Sequence, residues 1–230
     1  AMDCYDQGIL SKADLDGIDL TWGNPDAIVA MVHKIGKREG IGKLLGEGVR
    51  IAAQKIGKGS EQYAIHIKGL EGAAHDARSS KLLALTYGTG SRGMCHTHQC
   101  EGLIFDSIKM DLGLQSFGFP DPQSVDRWNP EGKGTLAKKL QDFTIWPDLL
   151  GICKFYTYFG GLFPGELTKM LSLLTGWNAD GGYLAAAGER VFNLQRRFNC
   201  RTERGTFMQN VRREISPSFE KSNFGMNPPF

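Results

Sequence analysis

Apolar residues recur at helical spacing in run after run of this chain, and glycine or proline cuts nearly every run short. That pattern predicts a multihelical fold, mainly α with little strand, in which short helices are joined by turns. Gly23-Asn24-Pro25-Asp26 is a helix start: Asn24 can accept from exposed amides, and Pro25 suits the first helical turn. Ile28, Val29, Met31, Val32 and Ile35 then form one apolar face, and Gly40 with Gly42 breaks the helix. A second run carries Leu44, Leu45, Val49, Ala52 and Ile56 and is ended by Gly57 and Gly59. Together the two read as a helical hairpin whose apolar face needs a partner.

Tyr63 to Ile67 alternates and is rich enough in β-branched residues for a short strand or extended connector. Ser79 to Tyr87 reads as a short helix, and Gly88 to Gly93 as a glycine-dense loop. Between Cys100 and Gly134 the periodicity is weak, with turns at Pro120-Asp121-Pro122 and Asn129-Pro130, so most of it reads as loop with one short helix. Helical spacing returns at Leu136 and is interrupted at Pro147. Pro164 and Glu166 open a helix through Leu174 that Gly176 closes. The last helix spans about Tyr183 to Arg197, with Leu184, Ala187, Val191, Leu194 and Phe198 as its expected core stripe. The pattern decays after Arg201. At the other end, Met2-Asp3-Cys4-Tyr5 reads as a helix already under way with no capping residue, which leads us to expect a fragment.

Composition narrows the function classes. Hydrophobic residues make up 41% and charged residues 23%, ordinary values for a soluble globular protein. A formal charge of +2 is too small to suggest a nucleic-acid or membrane partner. No apolar run approaches the roughly 20 residues that span a bilayer, so cytoplasmic residence is the default expectation. The five cysteines are scattered and odd in number, which argues against a disulfide framework.

Two clusters hold residues that could carry chemistry. Cys95-His96-Thr97-His98-Gln99-Cys100 is the densest set of metal-type donors. Structural zinc sites, however, pair two separated couples, and no second couple exists here. A buried histidine beside inert thiols is the alternative. In the second cluster, Cys153 follows Gly151-Ile152, with Asp148 five residues earlier. One cysteine cannot hold an iron–sulfur cluster, which takes about four thiolates. On spacing alone Cys153 is a core thiol and Asp148 a helix-start carboxylate.

Several blocks, in order, resemble the aldehyde ferredoxin oxidoreductase family. Cys4-Tyr5-Asp6-Gln7-Gly8-Ile9-Leu10-Ser11, Arg38-Glu39-Gly40-Ile41-Gly42 and Leu45-Gly46-Glu47-Gly48-Val49 are similar to its middle region. His66-Ile67-Lys68-Gly69-Leu70-Glu71 resembles the lead into its last domain, and Tyr87-Gly88-Thr89-Gly90-Ser91-Arg92-Gly93-Met94-Cys95-His96 its small-residue loop before the active-site histidine. Gly188-Glu189-Arg190-Val191-Phe192-Asn193-Leu194 with Phe198-Asn199 is similar to its C-terminal helix. The resemblance implies two helical domains, over residues 1–66 and 67–230.

It also implies roles. Asp148 with Gly151-Ile152-Cys153 matches the pattern D-x-x-G-L-C, with Ile152 for the usual leucine. In the family the aspartate and the backbone beside the cysteine hold a pterin, and the cysteine is a [4Fe–4S] ligand. His96 matches the histidine near the tungsten centre, where its implied role is hydrogen bonding or proton transfer to the substrate oxygen. The implied cofactors are a tungsten (or molybdenum) bis-pterin and a [4Fe–4S] cluster. The implied reaction oxidises an aldehyde to a carboxylic acid, with ferredoxin as electron acceptor and a missing N-terminal region or subunit as partner; a homo-oligomer is a further expectation. Two departures bear on these roles. His98 stands where the family often has a basic residue facing a pterin phosphate, and His75-Asp76-Ala77-Arg78 replaces Tyr-Asp-Pro-Arg. The competing readings are a related tungsten enzyme with a non-aldehyde substrate and a non-catalytic helical module.

Overall fold

The computed structural model describes residues 1–97, 102–158 and 161–202. It is mainly α: among the described residues there are ten α-helices and one two-stranded ribbon. Two compact units divide after Glu71.

The first unit, Ala1–Glu71, opens with α1 (Met2–Asp6) and α2 (Pro25–Lys37). Asn24 caps α2 as its sequence suggests: its side-chain oxygen accepts from the Ala27 amide at 3.2 Å, and its amide group donates to the Asp19 carbonyl at 3.0 Å. The helix stops earlier than the glycines imply, where Arg38 turns left-handed at φ 58°. The glycines serve a different end. A Cβ on Gly42 would lie 2.2 Å from the Lys34 carbonyl, so glycine lets α3 (Ile41–Leu45) press against the last turn of α2. The Asp16 carboxylate accepts from the Ile41 amide at 2.8 Å and pairs with Lys34 at 3.0 Å, tying the two helices.

The second amphipathic run is not one helix. It breaks after Leu45, and α4 (Val49–Ile56) starts afresh because the Glu71 carboxylate, 22 residues away, accepts from the Val49 amide at 2.6 Å. Glu71 ends the ribbon of β1 (His66–Ile67) and β2 (Leu70–Glu71), antiparallel with Ile67 opposite Leu70. Tyr63 belongs to a preceding 3₁₀ turn rather than to a strand. The core gathers Cys4, Leu10, Leu15, Leu20, Ala27 and Met31. Of the face expected on α2, Met31 is buried, whereas Ile28, Val29 and Val32 are exposed.

The second unit starts at Gly72. Its central helix is α5 (Lys81–Thr89), which begins two residues later than expected because Ser80 caps it, accepting from the Leu82 and Leu83 amides at 3.1 Å. Leu82, Leu83, Ala84, Thr86, Tyr87 and Gly88 are all buried, as in a helix surrounded by others. Residues 102–132 are irregular, with a π-helical turn (Leu103–Ser107) and two 3₁₀ turns. One buried node orders this stretch. Asp106, fully inaccessible, accepts from the Ser80 hydroxyl at 2.7 Å and from Ser107 at 2.9 Å, and pairs with Lys133 (4% exposed) at 3.4 Å. Ser80 starts α5 and Lys133 starts α6 (Lys133–Phe143), so the carboxylate joins two helix beginnings.

α6 ends at Phe143 and α7 (Trp146–Leu150) starts after two intervening residues with Pro147 in its first turn, after which come α8 (Lys154–Tyr158), α9 (Pro164–Thr175) and α10 (Gly181–Thr202). The core collects Leu82, Phe105, Leu140, Phe143, Trp146, Leu167 and Leu184, each worth about 1.5–3 kcal/mol on full burial. Trp146 meets Phe143 edge-on at 5.2 Å between ring centroids. The stripe expected on α10 is half right: Leu184 is buried, but Leu194 and Phe198 are 66% and 65% exposed. The helix instead turns Gly188 and Arg196 inward. A Cβ on Gly188 would stand 2.2 Å from the Asp142 carbonyl, so this contact is backbone against helix.

Two outcomes follow for chemical denaturation. Gly188→Ala is expected to cost about 1–3 kcal/mol by forcing α10 away from α6, and an unshifted midpoint would show that α10 is not held there. Lys133→Met should cost about 3–5 kcal/mol by leaving Asp106 buried and unpaired, and Lys133→Met with Asp106→Leu should recover most of that loss.

Candidate functional site

The glycine-dense loop before His96 takes its shape from α10. Gln195 accepts from the Ser91 hydroxyl at 2.7 Å, Arg196 donates to the Thr89 carbonyl at 2.8 Å, and Asn199 donates to the Ser91 carbonyl at 2.8 Å. These three residues lie on one side of the helix, one turn apart. From α6, Gln141 donates to the Thr89 hydroxyl at 2.8 Å. A loop of small residues has little side-chain packing of its own, so this row of amides and the guanidinium fixes it. The chain then passes through Gly93, at φ +123°, and the buried Met94 to Cys95 and His96.

His96 is half-buried, with its ring centroid 4.7 Å from that of His75 and the planes tilted by 57°. Its proton affinity is pushed below the ordinary imidazole range, first by burial and then by the positive charge His75 can carry. Two unit charges at such a separation repel by roughly 1 kcal/mol in water and about 3–4 kcal/mol at an effective dielectric near 20. The His96 ring is therefore held neutral to lower pH than a free imidazole, as a proton acceptor requires. The Cys95 sulfur lies 3.5 Å from the Thr97 hydroxyl. His98 and Cys100 lie outside the described residues. Among the described residues, no three His, Cys, Asp or Glu side chains gather closely enough to hold a metal ion.

Asp148 sits in α7, and Gly151, Ile152 and Cys153 form the turn that joins it to α8. Pro147 fits the first turn of α7, and Gly151 ends it in the left-handed region at φ +69°, with open space where a Cβ would stand. The Ile152 amide donates to the Pro147 carbonyl at 2.9 Å, while its side chain packs on the core. Lys154 donates to the Asp148 carboxylate at 2.8 Å and to the Thr144 carbonyl at 2.6 Å, pinning the turn from beneath. Cys153 is exposed, not a core thiol. Leu149, Phe155 and Tyr156 around it are exposed too.

Among the described residues no hydrogen bond or ring contact joins His96 to the Asp148–Cys153 turn. The two share a support, since α10 holds the glycine loop at one end and packs against α6 and α7 at the other. Periodicity missed three contributors: Lys154 on Asp148, His75 beside His96, and the row Gln195, Arg196 and Asn199. The row could have been found from polar residues interrupting the expected apolar stripe of the last helix.

The chain is 30% identical over 207 residues to the tungsten-containing aldehyde ferredoxin oxidoreductase of Pyrococcus horikoshii, covering 87% of this chain and 31% of that protein. It is 29% identical over 205 residues to the enzyme of the same description from Pyrococcus furiosus. A shorter stretch of 103 residues, 42% of the chain, is 41% identical to the aliphatic sulfonate oxidoreductase, WOR-like subunit, of Pyrococcus furiosus, covering 16% of it. Among solved structures, the active site complex BamBC of benzoyl coenzyme A reductase with 1,5-dienoyl-CoA aligns at a TM-score of 0.62 over 94% of this chain and 36% of that one. At 22% identity this likeness concerns the fold. The chain thus spans about a third of the length of the curated relatives it matches. Residues 1–214 match the family described as aldehyde ferredoxin oxidoreductase, domains 2 & 3, and the chain belongs to that family.

Proposed function

We propose that this chain is the C-terminal helical part of a tungsten- (or molybdenum-) pterin oxidoreductase that converts an aldehyde to a carboxylic acid. Aldehyde and water give acid, two protons and two electrons, and the electrons leave through a [4Fe–4S] cluster to ferredoxin. The observation that carries this reading is Cys153, an exposed thiol at the end of a D-x-x-G-x-C segment in which Leu149 is exposed, as are Phe155 and Tyr156 just after it.

The residues present fit the cofactors in part. A [4Fe–4S] cluster takes about four thiolates, and Cys153 offers one from a face that further polypeptide can cover. Asp148 and the backbone of Gly151 and Ile152 lie beside it and would hold the pterin, with His98 toward its phosphate. Gly151 leaves its backbone open to close approach. The remaining ligands come, on this reading, from polypeptide outside these 230 residues, a further region or a separate subunit. When bound, the pterin-held metal supplies the two-electron oxidation. This chain's own contribution is to keep His96 neutral and able to take a proton from the reacting water, while α10 holds the loop that presents it.

A second reading has a specific observation behind it. The 41% identity to a sulfonate oxidoreductase subunit favours, over that stretch, a non-aldehyde substrate on the same cofactors. Assaying the assembled enzyme with aldehydes and with aliphatic sulfonates separates the two.

In the assembled enzyme, Cys153→Ser is expected to lose or convert the cluster, read by EPR and visible absorption, with the helical circular dichroism unchanged. An unaltered cluster spectrum would remove Cys153 from the ligand set. His96→Gln should lower kcat by about 10²–10⁴ with iron and tungsten contents retained. Wild-type turnover in that variant would take His96 out of the reaction.

A further inference from the structure

The geometry points to His75 as the positioning residue for His96: the two imidazoles stand so close that positive charge on one ring opposes positive charge on the other. This rests on the reading of His96 as a proton acceptor. The rings lie 4.7 Å apart at a 57° tilt, and both residues are half-buried. Neither ring is hydrogen-bonded to another described residue, so no carboxylate there balances a second positive charge. The charged groups nearby are already matched. Asp76, next in sequence to His75, is taken by the Arg78 guanidinium at 2.6 and 3.0 Å and by the Arg78 amide at 2.8 Å.

His75 is also anchored by its backbone rather than by its ring. The Tyr87 hydroxyl, from a fully buried residue of α5, donates to the His75 carbonyl at 3.3 Å. The His75 amide donates to the Ala73 carbonyl at 2.7 Å. The main chain therefore places the ring against His96 and leaves its nitrogens to exchange protons. In such a pair a positive charge on the His75 ring repels one on the His96 ring. Burial, the larger cause of the lowered affinity at His96, acts in the same direction and does not depend on His75.

The test is an NMR titration of the imidazole carbon-bound protons in the 230-residue chain, with His96 assigned through His96→Gln. In His75→Gln, the His96 midpoint should rise part of the way toward that of a free imidazole. In His75→Lys, a fixed positive charge should lower it below wild type. His75→Tyr keeps an aromatic ring without the charge and should match His75→Gln. An unmoved His96 midpoint in whichever of these variants retains the helical circular dichroism and the dispersed spectrum overturns the inference. Because the titration needs no turnover, it can fail while the assigned reaction stands, and the reverse. In the assembled enzyme, the acid limb of the kcat/KM profile should move to higher pH in His75→Gln, and an unmoved limb would again count against it.

Discussion

The site depends on one close approach of backbone to helix, Gly188 against the carbonyl of Asp142. With no Cβ in the way, α10 settles onto the end of α6 and the start of α7, and its orientation is then set over the rest of its length. Seven to eleven residues further on, the same helix delivers Gln195, Arg196 and Asn199 to the loop that leads to His96. A side chain at position 188 would be felt at both ends. The loop before His96 is therefore ordered by packing elsewhere, at a point that carries no chemistry.

A second constraint orders the long irregular stretch. A buried carboxylate costs several kcal/mol in desolvation unless it is paired and hydrogen-bonded. Asp106 meets that demand with two hydroxyls and an ammonium drawn from three separate segments. The node supplies what the periodicity between Cys100 and Gly134 lacks: a reason for this stretch to adopt one conformation. It also makes the starts of α5 and α6 interdependent, since Ser80 caps one while bonding the same carboxylate that Lys133 pairs with from the other.

Much of the candidate site was legible in the residues. Asp148, Gly151 and Cys153 have a recognisable order, Gly151 adopts the left-handed turn that only glycine takes readily, and His96 follows a loop too small to pack by itself. What could not be read was environment. The spacing around Cys153 reads as that of a core thiol, and three-dimensional packing put it outside. His75 lies 21 residues before His96, a separation that no local pattern connects, and the ring contact exists because the backbone bonds of His75 hold it there.

By itself, the sequence determined the helices and many of their boundaries, because caps and helix stops are local: Asn24 and Pro25 at α2, Pro164 and Gly176 at α9. It also determined the family through ordered blocks that survive at about 30% identity. Tertiary structure alone decided which face of each helix is buried. Leu194 and Phe198 are as apolar as Leu184, yet they face out, because the partner of α10 is a backbone carbonyl that selects glycine rather than bulk. The break before α4 was decided the same way, by a carboxylate 22 residues off that satisfies amides at the new helix start. Local chemistry states where a helix can begin; only distant atoms brought near by folding settle what it must face.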